Sequence, residues 1–180
     1  MILTDREIQL ALENKQIEIS PLPADSAFSS TSVDLTLDEP GDVWKKMAGQ
    51  PIRPAKKGYN YEELKHRKER VSLRAFTLEP SMFLLAWTKE TVFLPYTSRI
   101  AARVEGKSSL ARLGICVHLT APTIHAGFKG QIQLEMCNFG QQDIMLDVDM
   151  RICQLIFETT LGTPAKGYAG RFIGQKATTM

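Results

Sequence analysis

Two short segments carry the residue types that chemistry needs. The first, Gly106-Lys107-Ser108-Ser109-Leu110-Ala111-Arg112-Leu113-Gly114, crowds hydroxyls, small residues and two cations together. Hydroxyls, backbone N–H groups and cations can converge on phosphate oxygens, so this is the composition of a grip on a polyanion. The second, Gln131-Ile132-Gln133-Leu134-Glu135-Met136-Cys137-Asn138, alternates as a strand does and sets one carboxylate, Glu135, on its polar face. A carboxylate held in one place is a candidate general base. A phosphate grip with a lone base points to chemistry on a nucleotide.

Each segment also has a plainer reading. Gly106-Lys107-Ser108 looks like the end of a P-loop, but that motif needs a glycine where Ala101 stands, so the P-loop reading fails. A helical turn here would put Ser108 and Arg112 on one face and leave Leu110 and Leu113 elsewhere. Serine-rich turns that only cap a helix are common. An isolated acidic residue on a strand's polar face is usually just solvated.

The elements that must position these groups read as mostly strand. Thr4 and Glu7 form a T-x-x-E capping box, and Ile8, Ala11 and Leu12 continue it as a short helix that fades near Asn14-Lys15. After Pro21 and Pro23, Thr31–Leu37 alternates as a strand. Residues 38–72 are polar and rich in Gly, Pro and Lys; they read as a long loop or insertion with a helix near Tyr61–Arg70. Strands are then expected at Arg74–Leu78, Phe83–Thr88, Thr91–Leu94, Ile100–Glu105, Ile115–Leu119, Gly130–Cys137, Ile144–Leu146 and Ile152–Glu158, separated by turn signals. Many short strands argue for a mainly β sandwich or jelly roll, one domain over 1–180. Residues 162–180 read as a C-terminal arm that orders on a ligand or a neighbouring subunit.

Composition narrows the partners. The 180 residues are 43% hydrophobic and 23% charged, with a net charge of +2, so no global basic field argues for nucleic acid. Arg53, Lys56, Lys57, Lys65, His66, Arg67, Lys68 and Arg70 cluster locally and read as a solvated surface. Cys116, Cys137 and Cys153 form no C-x-x-C pair, which fits buried thiols in a reducing compartment. No apolar run reaches membrane-span length and the first residues do not read as a signal peptide, so a cytoplasmic protein is expected.

Taken in order, these segments resemble the dCTP deaminase branch of the dUTPase-like superfamily. The likeness rests on the grip from Gly106 to Gly114, Val117-His118, Ala126-Gly127-Phe128-Lys129-Gly130 with Leu134-Glu135, Arg151-Ile152-Cys153-Gln154-Leu155-Ile156-Phe157 and Gly170-Arg171-Phe172-Ile173-Gly174-Gln175. Asp5-Arg6-Glu7-Ile8 and Ser32-Val33-Asp34-Leu35 match the family's opening. The resemblance implies a distorted β jelly roll, assembled as a homotrimer or hexamer with sites between subunits. It implies hydrolytic deamination of dCTP to dUTP and ammonia, feeding dUMP and dTTP synthesis, with dTTP as an inhibitor.

Carried over by position, Glu135 takes a proton from water adding to C4 of cytosine and passes one to the leaving amine. Ser108 and Arg112 orient the water and the phosphates; Lys107, Ser109, Leu110 and Ala111 complete the cradle. Gln133 and Leu134 lie where the family reads the base with backbone groups. Gln154, Tyr168, Arg171 and Gln175 hold the nucleotide. Magnesium arrives with the triphosphate, with no protein metal site. Zinc deaminases need H-x-E with P-C-x-x-C, which this chain lacks, so zinc is not expected in the chemistry. His125 is the main departure: much of the superfamily, including the dUTP-hydrolysing members, places an aspartate there, which in dUTP diphosphatases contacts the sugar, and an imidazole cannot accept as a carboxylate does. That departure and the unusual tail weigh against dUTP diphosphatase or bifunctional activity. A non-catalytic nucleotide-binding module is the remaining alternative.

Overall fold

Strand alternation sets the architecture of the computed structural model, which describes residues 1–177. In chain order the elements are helix α1 (Asp5–Glu13), strands β1 (Glu18–Ser20), β2 (Phe28–Ser29), β3 (Ser32–Thr36), β4 (Pro40–Trp44), β5 (Lys68–Ser72), β6 (Phe76–Leu78), β7 (Phe83–Phe93) and β8 (Ile100–Gly106), the short helix α2 (Ser108–Ala111), and strands β9 (Ile115–Cys116), β10 (Thr123–Ile124), β11 (Lys129–Asn138), β12 (Ile144–Leu146) and β13 (Arg151–Thr159). One sheet runs β5-β4-β7-β11-β9, with β1 also on β7; a second runs β10-β8-β13-β3-β2; β12 and β6 make a small third ribbon. The jelly-roll expectation holds. No helix among the described residues is long and apolar enough to cross a membrane.

The two large sheets share one core. Val33 and Leu35 of β3, Val104 of β8 and Leu155 and Phe157 of β13 meet Leu84 of β7 and Leu134 and Met136 of β11, all essentially inaccessible. Burying a leucine or methionine contributes roughly 1.5–3 kcal/mol. A one-residue slip of β11 would expose Leu134 and Met136 and turn Glu135 into the core, so burial fixes the register. Glu135 stands opposite Leu85 and Gln133 opposite Trp87.

Helix α1 follows its capping box: the Glu7 carboxylate accepts from Thr4 N at 2.7 Å, and the helix stops at Asn14. The stretch 38–72 is different from expectation. Its ends are paired strands, running from Pro40 opposite Ser72 to Trp44 opposite Lys68, so the segment is a long hairpin. Strand β5 lies at the sheet edge and carries Lys68, Glu69 and Arg70; charge on an edge strand hides its periodicity and guards the edge. Tyr61–Arg67 forms 3-10 turns and not a helix reaching Arg70. Phe83–Thr88 and Thr91–Leu94 are a single strand. The charged Lys89-Glu90 step reads as a turn, yet Glu90 is 4% exposed and accepts from Thr36 N at 2.9 Å and Thr36 Oγ1 at 2.7 Å. Ile115–Leu119 shortens to Ile115–Cys116, because the chain leaves the sheet there. Strands β1, β2 and β10 are too short to show a period.

Gly114 lets the loop after α2 touch the turn after β11. Its φ is +95°, and a Cβ there would meet Gly140 N at 2.4 Å. Gly114→Ala should therefore cost more than about 2 kcal/mol in urea unfolding. An unchanged midpoint would mean that these backbones do not meet.

Candidate active site

The outward face of β11 is the floor of the site. Gln133 and Glu135 project from it into a cavity of about 470 Å³ that His118, His125, Tyr168 and Gln175 also line. Trp44 from β4, Tyr61 from the hairpin loop and Phe172 from the arm form an aromatic wall. The Tyr61 ring stands edge-on to Trp44 (centroids 6.4 Å) and to Phe172 (6.0 Å), and the Lys68 ammonium lies 4.6 Å from the Tyr61 centroid. The polar hairpin thus reaches the site through its aromatic residues.

Glu135 meets His118. The His118 ring is 5% exposed, with Nδ1 2.8 Å from Glu135 Oε2 and Nε2 2.7 Å from the Ala121 carbonyl oxygen. A carbonyl only accepts, so Nε2 carries a hydrogen and donates it. A neutral ring would then present a bare Nδ1 to the carboxylate, and two lone pairs at that distance repel. The pair therefore holds a proton between its two members. The contact is off the line of a well-formed hydrogen bond, so its attraction is chiefly electrostatic. Burial acts to lower the His118 pKa, but the Glu135 carboxylate and the Ala121 carbonyl more than reverse this, and it lies above the ordinary histidine value.

The floor has spare hydrogen-bonding capacity. Gln133 Nε2 is buried without a protein hydrogen bond, and Glu135 Oε2 has only its off-line contact with His118. An unpaired buried group such as the Gln133 amide costs roughly 1–3 kcal/mol until something pairs with it. A polar ligand in the cavity would remove that cost. Beyond the short ladder of Cys137 and Asn138 with β9, no described strand pairs with the free edge of β11.

The arm closes over this edge. Gly174 N donates to Lys129 O at 2.6 Å, Gln131 N to Gln175 O at 3.0 Å, and Gln175 Nε2 to Gln131 O at 2.9 Å. Ala177 is 1% exposed. Tyr168 stacks on His125, with centroids 5.5 Å apart and rings 13° from parallel. The arm thus packs on its own chain as far as Ala177; its expected continuation over 178–180 lies outside the described residues.

The other expected residues lie elsewhere. Helix α2 forms the expected turn, Arg112 N donating to Ser108 O at 3.1 Å, but Ser108, Ser109, Ala111 and Arg112 are exposed and none lines the cavity. Leu110 is half-buried against the core. Lys107 is ion-paired with Asp34 at 2.6 Å. Gln154 accepts from Ser32 Oγ at 2.7 Å and donates to Gly106 O at 3.0 Å. The Leu134 side chain is in the core, so only its main chain is available to a ligand. Arg171 is exposed and outside the lining. Within one chain the Glu135 cavity and the Gly106–Gly114 segment therefore lie apart. Among the described residues no three His, Cys, Asp or Glu side chains are grouped to hold a metal ion.

Sequence reasoning missed the role of His118, although Val117-His118 stands among the quoted motifs. It also missed Trp44, Tyr61 and Phe172, which only tertiary pairing brings together.

The raised His118 pKa gives a pH test. Stability from the pair is fully present below the ordinary histidine pKa and is lost as pH rises through the folded value. Glu135→Gln should lower Tm relative to the native chain at about pH 6, and the gap should close by about pH 9. A gap independent of pH would mean that no shared proton stabilises the fold.

Comparison with known proteins shows the family and the fold. The family model described as dCTP deaminase-like matches residues 2–160. A dCTP deaminase, dUMP-forming, of Methanobrevibacter smithii is 37% identical over 168 residues, covering 92% of this chain and 83% of the relative. One of Tropheryma whipplei, also dUMP-forming, is 39% identical over 185 residues, covering 99% and 91%. The dCTP deaminase of Rhodospirillum rubrum is 37% identical over 173 residues, covering 94% and 88%. The solved dCTP deaminase of Agrobacterium tumefaciens superposes with a TM-score of 0.67 at 22% identity, over 88% of this chain and 48% of that one, a likeness of fold. By its sequence, and with a fold to match, this chain belongs to the dCTP deaminase-like family.

Proposed function

We propose that the protein hydrolyses the 4-amino group of dCTP, giving dUTP and ammonia, with Glu135 as the proton acceptor and donor and without zinc. The observation that carries this is the Glu135–His118 contact on the floor of a cavity whose polar atoms have spare bonds. A base must be free to accept, so the pair's proton must rest on His118 before reaction; the raised His118 pKa supports that arrangement. Water adds to C4, Glu135 takes its proton, and the tetrahedral intermediate collapses as Glu135 returns a proton to the departing amine. Gln133 and the free edge of β11 read the base. His125 and Tyr168 flank the sugar, and Gln175 closes the cavity.

The triphosphate, with its magnesium, needs the grip. Lys107, Ser108, Ser109 and Arg112 present it on the outside of one chain, which supports a homotrimer or hexamer in which one copy's grip meets another's Glu135 cavity, with Gln154 and Arg171 near the phosphates. dTTP, a similar triphosphate without the amine, would occupy the same cavity as an inhibitor. A second reading, direct formation of dUMP, is favoured by the names of the Methanobrevibacter and Tropheryma relatives. His125 in place of a carboxylate weighs against it.

Incubation with dCTP and magnesium, with and without a zinc chelator that spares magnesium, should yield ammonia and dUTP in equal amounts at unchanged rate. Ammonia with dUMP and pyrophosphate would establish the second reading, and no ammonia would sink both. The shared site has its own test. Glu135→Gln and Arg112→Ala chains, each inactive alone, should recover about a quarter of native activity when refolded together in equal amounts, the share of sites then receiving both native groups. No recovery from mixed oligomers would mean that each site is built within one chain.

A further inference from the structure

Cys116 and Cys137 are directly opposite one another on the antiparallel strands β9 and β11. Two residues along, Phe139 N donates to Gly114 O at 2.8 Å, so Cys116 and Cys137 also form a hydrogen-bonded pair, with Cα atoms about 5.5 Å apart. That separation is inside the disulfide range of roughly 4.4–6.8 Å. Opposite residues share a face, and this face carries Glu135, two residues before Cys137. The thiols sense one another: burial and the nearby Cys116 both raise the Cys137 pKa, which keeps that thiol protonated. Cys137 is 8% exposed and Cys116 more open. The remaining thiol, Cys153, is fully buried on β13 in the other sheet and does not compete.

We propose that Cys116 and Cys137 are a modification site, closing into a reversible disulfide under peroxide that disables the Glu135–His118 pair. The Cys116 thiolate attacks one peroxide oxygen; the O–O bond breaks, hydroxide leaves and is protonated to water, and Cys116 becomes a sulfenic acid. The Cys137 thiol attacks that sulfur, the S–O bond breaks, and the thiol proton goes to the departing hydroxide, which leaves as a second water. Two thiols lose two electrons and hydrogen peroxide becomes two waters. A dithiol reverses the step by exchange.

The bond must move the site. Opposite Cβ atoms lie about 4.5–5.5 Å apart, whereas a disulfide needs roughly 3.5–4.5 Å, so β9 and β11 are drawn together by about 1 Å. Cys116 is two residues before His118, and the displacement passes into a 2.8 Å contact. The strain also makes the bond easy to reduce. Only the effect on turnover rests on the proposed function; the bond itself does not.

The test treats the reduced full-length protein with hydrogen peroxide, alkylates free thiols and maps peptides without reductant, assaying dCTP turnover in parallel. A peptide linked through Cys116 and Cys137 is expected, with turnover reduced roughly tenfold or more and restored by dithiothreitol. Cys116→Ser should yield no such peptide and keep its rate in peroxide. Absence of the linked peptide would overturn the site, and a linked peptide with unchanged turnover would overturn the switch. Reduced protein that never deaminates dCTP would instead overturn the proposed function, while the mass of the linked peptide still decides the bond.

Discussion

Strand β11 can bury only one face, and the candidate site depends on which face that is. Leu134 and Met136 pack into the core between the sheets, so Gln133, Glu135 and Cys137 must point the other way. The burial that stabilises the jelly roll is thus the same force that aims the carboxylate. Pairing with β7 holds β11 on one side. On the other, the strand keeps a free edge that the arm partly covers. A rigid floor beside an open edge is suited to reading a flat ring by its polar rim.

His118 gives that carboxylate its context. A carbonyl fixes one ring nitrogen as a donor, and the other must then share a proton with Glu135. The proton can rest on the histidine and leave the carboxylate ready to accept. A single carboxylate that both takes and returns a proton gains from a neighbour of this kind, because the neighbour steadies the charged form between the two transfers. The aromatic wall contributes differently, by lining the cavity with apolar rings. It draws on β4, the hairpin loop and the arm, so three distant stretches of chain must fold before the cavity exists.

Much of this is legible in the residues themselves. Alternation alone places Gln133 and Glu135 on one face, and the helical turn expected at Ser108 to Arg112 forms. Where reading failed, tertiary structure supplied what local pattern lacks. The charges of Lys68, Glu69 and Arg70 disguise β5, because an edge strand need not alternate. Glu90 looks like part of a turn, but the backbone and hydroxyl of Thr36 satisfy it inside a continuous strand. His118 follows a two-residue strand and meets its partner only because the loop to Ala121 turns the ring inward. Tyr61 reaches the cavity from what reads as a solvated loop. Local pattern reports which face a residue takes, but not which distant residue it will meet.

The central claim is that Glu135 carries the protons of the reaction. The most direct measurement compares turnover and binding of dCTP by the native chain and Glu135→Gln at one pH. The account predicts a loss of turnover of roughly 10²–10⁴-fold with binding little changed, because only the proton-carrying group is removed. A variant that still deaminates dCTP at near-native rate would contradict it.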